Sequence, residues 1–444
     1  MGEDPNAGSD RTTANAPNMQ RGRSTGHWNL FPGNFRWVIC AVLFIGISKN
    51  YMDRQVLGVL KTTLQQDLHW NEIDYSNLVF AFQAAYAVGM LAVGRFIDRV
   101  GCRLGYAVAV VFWSVASMAH AFCYSLGSFV VARSALGLGE SCAFPASIKA
   151  VAEWFPQKER ALAVGLFNAG SNLGAILTPL VVPWITLHFG WRQAFLLTGG
   201  LGFFWLLLWL GIYRRPEEHP SCTESELALI RSGRDEPASR VSWARILAHR
   251  QAWAFIGGKF LTDPVWWFYL FWVPGFLQHE HGLSLGQVGL PVVVIYLLSD
   301  GGSVAGGWLS SHLLKKRLGL NAARKIALLI CAVAVLPIVY AYRAHELWTA
   351  VFLIGLAAAA HQGFSANLLT LPSDLFPHQA VASVVGAGGM AGAVGGMLVA
   401  TIVGRVLQWT GSYFIPFLIA GFAYLAALGL IQALAPRLEP AEIG

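Results

Sequence analysis

Charge is scarce in this chain: of 444 residues only 12% are Asp, Glu, Lys or Arg, whereas an average soluble domain carries about 25%. So few charges cannot cover a water-facing surface, and the 55% hydrophobic content calls for lipid as the solvent of much of the molecule. Other absences exclude whole classes of function. No Gly-x-x-x-x-Gly-Lys-Ser/Thr loop is present to cradle nucleotide phosphates, which argues against primary active transport. Neither a His-Glu-x-x-His pair nor another nucleophile or metal cluster occurs, so the chain does not read as a membrane enzyme, and no cofactor or metal is expected. The six cysteines, at 40, 102, 123, 142, 222 and 331, have neither metal-ligand nor disulfide spacing; they read as small packing residues. Residues 1–33 lack the apolar core of a signal peptide and are rich in Asn, Gly, Thr and Arg. They are expected to form a disordered cytoplasmic tail.

What the chain has in abundance is long apolar runs. A membrane-spanning helix needs about 20 predominantly apolar residues, and twelve such runs occur, near 35–58, 77–97, 104–124, 127–150, 161–184, 193–213, 252–277, 288–312, 325–342, 347–371, 380–406 and 412–434. They predict an all-α polytopic membrane protein with 12 transmembrane helices. The longest internal polar segment, 214–250, holds Pro216, Pro220 and Pro237 among mixed charges. It is expected to be a solvated cytoplasmic linker that separates a six-helix bundle at 34–213 from a second at 251–435, with a short tail at 436–444. Basic residues sort by side. Arg36, Arg95, Arg99, Arg103, Lys149, Lys158, Arg160, the arginines of the linker, Lys315 to Lys325 and Arg437 fall on one side, against Lys61, Arg192, Arg343 and Arg405 on the other. By the positive-inside rule both termini are cytoplasmic. The net charge of +7 then reflects topology and not nucleic-acid binding.

The two halves resemble each other. An offset of 221 lays Glu153-Trp154-Phe155-Pro156 over Asp374-Leu375-Phe376-Pro377, Gly165 over Gly386 and Gly174 over Gly395, which marks an internal duplication. The same offset places Glu140 over His361, at matching depths in the fourth and tenth helices. Repeat interfaces near the bilayer midplane are where transporters bind substrate.

Charges inside the spans locate such a cavity. Each costs about 2.5–3.5 kcal/mol at the bilayer centre, so Lys49, Asp53 and Arg54, in the stretch 49–55, are expected to face a protein interior. Arg133 and Glu140 are seven residues apart in the fourth helix. That puts them on one stripe, two turns or about 10 Å apart, as two stations along one path. Gly137 and Gly139 between them leave room for a neighbouring helix or a ligand. A guanidinium presents a planar fork suited to a carboxylate, and a buried glutamate is a group able to carry a proton. An empty cavity with Glu140 charged would satisfy Arg133 internally. In the seventh helix Lys259 and Asp263 stand at i and i+4, so their mutual pairing competes with a substrate role for Lys259. Trp266, Trp267, Tyr269 and Trp272 cluster before Pro274; interfacial anchoring explains some of them, and Trp266 or Trp267 could stack on a sugar ring. Helix ten offers His361, Gln362, Ser365 and Asn367, while Gln83, Tyr86, Asn168, Ser171 and Asn172 are candidate partners for polyol hydroxyls. Asp300 has two readings, a second coupling acid or a polar group of helix packing. Gly170 and Gly174, and Gly388, Gly392 and Gly396, have the small-xxx-small spacing of close helix packing.

Three sets of residues carry a resemblance to a known family. Gly94, Asp98, Arg99, Gly101 and Arg103, between the second and third helices, match the signature loop of the major facilitator superfamily, and Gly307, Lys315, Lys316, Arg317 and Gly319 form a decayed second copy without the acid. Tyr51-Met52-Asp53-Arg54, Arg133, Glu140 and Phe144-Pro145 resemble the anion:cation symporter family within it. Lys259 to Trp267 and His361 to Asn367 look like its hexuronate group. The resemblance spans about residues 35–435 and implies a proton-coupled importer of a sugar acid, such as galacturonate or glucuronate, working by alternating access as a monomer in a bacterial inner membrane. It further implies that Asp53 and Glu140 are the protonatable pair, that Arg133 meets the substrate carboxylate, that Arg54 couples the two, and that Gly94 to Arg103 latch a cytoplasmic gate. Lys49 departs from the family's simplest pattern and, one turn before Asp53, is placed to pair with it. If two protons accompanied one monoanion, the membrane potential would favour uptake by about 2.3 kcal/mol per 100 mV.

Two other readings compete. An organic-anion or organophosphate exchanger of the same fold would be expected to place an arginine in helix seven, where this chain has Lys259. A non-transporting sensor of sugar acids would have no use for a proton-coupling acid such as Asp53 or Glu140.

Overall fold

The computed structural model describes residues 33–231, 243–316 and 319–441; most of the expected N-terminal tail, part of the linker and Arg317 of the second signature-like loop lie outside these. Every regular element among the described residues is helical. α1 (Phe35–Val59) starts the first half, and a short α2 (Lys61–Leu68) turns the chain at its far end. Asn71 opens α3 (Glu72–Val100) with a reciprocal capping box to Asp74. Gly101, at φ +87°, makes the corner into α4 (Cys102–Ala119); a residue with a side chain is strained there, which accounts for the signature glycine. α5 (Leu126–Glu140), α6 (Ala143–Trp154), α7 (Gln157–Phe189) and α8 (Trp191–Ile212) complete this half. The linker contributes α9 (Glu224–Arg231) and α10 (Trp243–Ala248). The second half comprises α11 (Arg250–Glu280), α12 (Gly289–Lys315), α13 (Leu320–Val335), continued by a 3-10 stretch at Leu336–Arg343, then α14 (Leu347–Leu368), α15 (Leu371–Leu375), α16 (His378–Thr410) and α17 (Phe414–Leu434).

Ten of the helical segments among the described residues are long and apolar enough to cross a bilayer. The other two of the twelve expected runs have visible reasons to differ. The fourth breaks at Ser141 and Cys142 into α5 and α6, and the seventh, α11, is 31 residues long but carries Lys259, Asp263, Pro264 and Pro274. Large apolar side chains such as Leu91, Val131, Leu207 and Val304 point away from the protein, as a lipid-facing surface requires. All six cysteines are buried free thiols.

The duplication is visible in the helices. α7 and α16 are both 33 residues long, and each begins after a proline, Pro156 and Pro377, of nearly identical backbone (φ −63°, ψ 150° and φ −61°, ψ 148°). Proline suits this place because the first helical N–H groups have no partner within the helix. The matched glycines behave alike. Gly174 lies against the Ser48 carbonyl of α1 and Gly395 against the Phe260 carbonyl of α11, whereas Gly165 and Gly386 both face open space. A Cβ at Gly174 or Gly395 would collide with backbone, so the small residues permit close helix approach.

Contacts between the first six and last six membrane helices gather at the end of the bundle opposite the chain termini. Tyr75 donates to the Phe271 carbonyl at 2.7 Å, Lys61 Nζ lies 3.3 Å from Tyr413 Oη, and the Glu72 N–H donates to Gln408 at 3.1 Å. Lys61 is buried and pairs with Glu72 at 2.8 Å. Burial lowers its pKa, and the Glu72 carboxylate opposes that shift.

The described part of the linker, expected to be solvated with amphipathic pieces, docks one such piece, α9, on the start of α1. Glu226 of α9 is buried and accepts from the backbone N–H groups of Phe35 and Arg36, at 3.2 and 3.0 Å, at the start of α1. A carboxylate is favourable at a helix N-terminus, where free N–H groups and the helix dipole meet it. Arg36 bridges Glu226 to Glu159 of α7, at 3.2 and 2.7 Å. The His219 ring packs tilted against Phe35 with ring centres 4.2 Å apart.

Candidate functional site

Three ionisable groups of α1 and two of α5 meet inside the first bundle. Asp53, Glu140 and Arg133 are fully buried, and Lys49 and Arg54 nearly so. Arg54 Nε donates to Glu140 Oε2 at 3.0 Å, and its Nη2 reaches Asn50, one turn back, at 3.4 Å. Aromatic rings enclose the guanidinium: Tyr51, Tyr86, Phe82 and Trp267 have their centres 4.7, 5.0, 5.2 and 5.2 Å from its carbon. Such a cage supplies cation–π attraction of about 0.5–2 kcal/mol per face and holds the fork in place. Lys49 pairs with Asp53 and donates to Ser114 of α4 at 3.1 Å.

Arg133 is different. It lies 4.7 Å from the centre of the Phe82 ring and 6.0 Å from that of Phe271, and none of its three guanidinium nitrogens has a hydrogen-bond partner among the described residues. The nearest carboxylates, of Glu140 and Asp53, are engaged by Arg54 and Lys49. Glu140 thus makes its direct ion pair with Arg54, not with Arg133, and acts on Arg133 only as a neighbouring charge. The i,i+7 spacing places both on one stripe, and α1 turns Arg54 toward the glutamate instead. A buried guanidinium without partners is costly unless an anion arrives. Gly137 and Gly139 serve helix packing, Gly137 against the Phe82 carbonyl of α3 and Gly139 against Trp113 of α4.

The second half faces this centre through α11. Trp267, which meets Arg54, stacks on Phe271 with ring centres 5.9 Å apart. Lys259 and Asp263 pair at 2.7 Å while remaining partly exposed. Asp263 lies against α16, where a Cβ at Gly392 would meet its Cβ at 2.9 Å. Gln83 approaches Gly396 of α16 in the same way, and neither its oxygen nor its nitrogen has a partner. Tyr51, Tyr86, Trp266, Asn172 and Gln362 are partly exposed. Asn172 of α7 neighbours Asp300 of α12, which gives that acid a contact across the halves. Other sequence candidates are held by the fold. His361 Nδ1 lies 2.6 Å from Tyr424 Oη and its ring stacks on Trp266 at 5.2 Å. Asn367 donates to the carbonyls of Gly306 and Gly363 at 2.9 and 2.8 Å, tying α12 to α14.

In the signature loop Asp98 pairs with Lys149 of α6 at 2.7 Å, and Arg103 donates to the Leu210 carbonyl at 2.5 Å. Gly94 is open and Arg99 exposed. The second half, whose loop lacks the acid, has an ion pair of Arg324 with Asp374 at 2.8 Å. Sequence reading missed Ser114, Asn50 and the Gln55–Tyr296 hydrogen bond between α1 and α12. Of these only Asn50, four residues before Arg54, left a signal in the spacing.

Comparison with known proteins agrees with this architecture. The sequence model of the Major Facilitator Superfamily matches residues 43–400. The chain is 33% identical over 406 residues to the hexuronate transporter of Escherichia coli K12, covering 90% of this chain and 92% of that one. It is 33% identical over 303 residues to the galacturonate transporter of Dickeya chrysanthemi, covering 67% and 88%. It is similar to the D-galactonate transporter of Escherichia coli O6:H1, 30% identical over 417 residues and covering 91% and 95%. Among solved structures, that of a D-xylose-proton symporter superposes with a TM-score of 0.72 at 16% identity, covering 90% of this chain and 98% of that one.

Proposed function

The chain belongs to the Major Facilitator Superfamily, and from that premise we propose that it imports a sugar-acid anion, a hexuronate such as galacturonate or glucuronate, together with a proton. The observation that carries the reading is Arg133, a fully buried guanidinium whose nitrogens have no hydrogen-bond partner among the described residues. A carboxylate supplies two parallel acceptors in the plane of the guanidinium fork. Trp266, Trp267, Tyr51 and Tyr86 would offer apolar and hydroxyl contacts to the sugar ring, and Gln83, Asn172 and Gln362 its hydroxyl partners. Relatives named for hexuronate, galacturonate and galactonate transport support the substrate class.

Coupling follows from the Arg54–Glu140 pair. While Glu140 is ionised it holds Arg54, and an arriving carboxylate finds Arg133 alone. When Glu140 takes a proton, Arg54 is released toward the same anion, so protonation raises anion affinity and anion binding favours protonation, a reciprocal linkage. The contacts joining the halves at the end opposite the termini suit a form whose site opens toward the termini. With the basic segments cytoplasmic, that would be the inward-facing form; rocking of the halves would expose the site to the other side, with the loop from Gly94 to Arg103 latching the cytoplasmic gate in that second form.

Uptake of labelled galacturonate into proteoliposomes, with and without an inwardly directed proton gradient, tests the reading. Stimulation by the gradient supports it. Uptake driven only by anion loaded inside would replace it with exchange, and binding without uptake would make the protein a sensor.

A further inference from the structure

The ammonium of Lys49 occupies a built slot. Besides pairing with Asp53 and donating to Ser114, it lies 5.8 Å from the centre of the Trp113 ring. α8 leaves it room only because residue 202 is glycine: a Cβ there would come within 2.7 Å of the Lys49 nitrogen. We propose that Lys49 is a positioning residue that keeps Asp53 ionised throughout the cycle, so that the carrier moves one proton, on Glu140, with each monovalent sugar acid and transfers no net charge. This rests on the proton-coupled reading above.

The groups facing Asp53 explain why. α1 supplies Lys49 and α5 supplies Arg133 and Glu140. α4 supplies the Ser114 hydroxyl to the lysine and the Ser117 hydroxyl near Asp53; His120, which follows α4, neighbours Arg133 and turns its ring Nδ1 to the carbonyls of Ala116 and Ser117. Protonating Asp53 would strand the Lys49 ammonium in an apolar slot with one hydroxyl for company, and a buried pair that loses one member's charge is strongly destabilised. The pair is therefore a fixed neutral unit. In the empty core Lys49 cancels Asp53 and Arg54 cancels Glu140, which leaves the single positive charge of Arg133. One anion plus one proton returns the same total, so loaded and empty forms cross the membrane equally charged. A proton on Asp53 as well would add a charge to the loaded form.

The test counts protons and charge in proteoliposomes, with labelled galacturonate, a trapped pH dye, and potassium plus valinomycin to clamp the potential. Wild type is expected to take up one proton per anion. Its accumulation should rise about tenfold per unit of pH gradient and stay the same when the interior is made negative. Lys49→Met, its folding verified by counterflow exchange, should gain a second proton and about tenfold in accumulation for each roughly 59 mV of inside-negative potential. Lys49→Arg should behave as wild type. Two protons per anion or voltage-driven accumulation in wild type overturns the proposal, and so does a folded Lys49→Met that stays at one proton. Should that variant not fold, the wild-type count decides by itself. Uptake with no proton movement at all would instead refute the proton-coupled reading on which the proposal stands.

Discussion

Replacing Arg133 with methionine separates stability from binding, because the native guanidinium has no hydrogen-bond partner to lose. The substitution removes a buried, uncompensated charge, whose burial costs several kcal/mol. It gives up the contact with Phe82 at 4.7 Å and a weaker one with Phe271 at 6.0 Å, together about 0.5–2 kcal/mol. Ligand-free Arg133→Met should therefore be more stable than wild type, by about 1–3 kcal/mol. Binding moves the other way. Two charge-assisted hydrogen bonds at about 1.5–3 kcal/mol each correspond to affinity weaker by about two to four orders of magnitude. Thermal unfolding in detergent, followed with and without galacturonate, reads both effects at once: the variant should start higher and show no shift on adding ligand. Arg133→Lys, which keeps the charge and loses the fork, should bind about 10- to 100-fold more weakly. A variant Arg133→Met that unfolds earlier than wild type and still responds to galacturonate would make the guanidinium a structural group and refute the assignment.

Three further outcomes are expected. Glu140→Gln leaves Arg54 without its ionised partner at 3.0 Å, so gradient-driven accumulation should vanish while counterflow exchange continues; accumulation that survives would move the coupling proton to another acid. Lys61→Met removes the ion pair with Glu72 and the contact with Tyr413, which should loosen the closed end; a cysteine placed at Ser76, beneath Gly404, should then react faster with a membrane-impermeant maleimide, and an unchanged rate would remove Lys61 from the seal. His219, outside the membrane spans, accepts from the Ser221 N–H at 3.1 Å, and burial lowers its pKa below the usual 6.5. Because the unfolded segment then binds its proton first, docking of the linker is fully stable above about pH 6.5 and weakens as pH falls below it. Protease cleavage near Cys222 should speed up on acidification from pH 7.5 to about 5.5 in wild type and not in His219→Phe.

Much of the fold was legible because lipid leaves few options. Backbone groups in a bilayer must bond within their own helix, so apolar length alone located the spans, and the repeated Phe-Pro pairs marked the duplication that α7 and α16 display. Local interruptions were not legible: nothing in the composition around Ser141 and Cys142 announces the break between α5 and α6. Within the site, spacing identified residues that share one helix face and could not give the rotation of one helix against the next. Lys49 and Asp53, at i and i+4, could be paired from the sequence. The partner of Glu140 could not, since choosing Arg54 over Arg133 depends on how α1 packs against α5. The docking of the linker escaped for a similar reason. Glu226 is one acid among several in a polar stretch, and only the position of the α1 N-terminus sets it apart.

The most direct test of the account is calorimetric titration of the purified protein with galacturonate near neutral pH, in two buffers of different ionisation enthalpy, with galactose as the uncharged control. The account predicts that galacturonate binds with uptake of a proton by the protein, that Glu140→Gln abolishes that uptake, and that galactose binds far more weakly because it offers nothing to Arg133. Galacturonate binding without proton uptake, or equal binding of galactose, would contradict it.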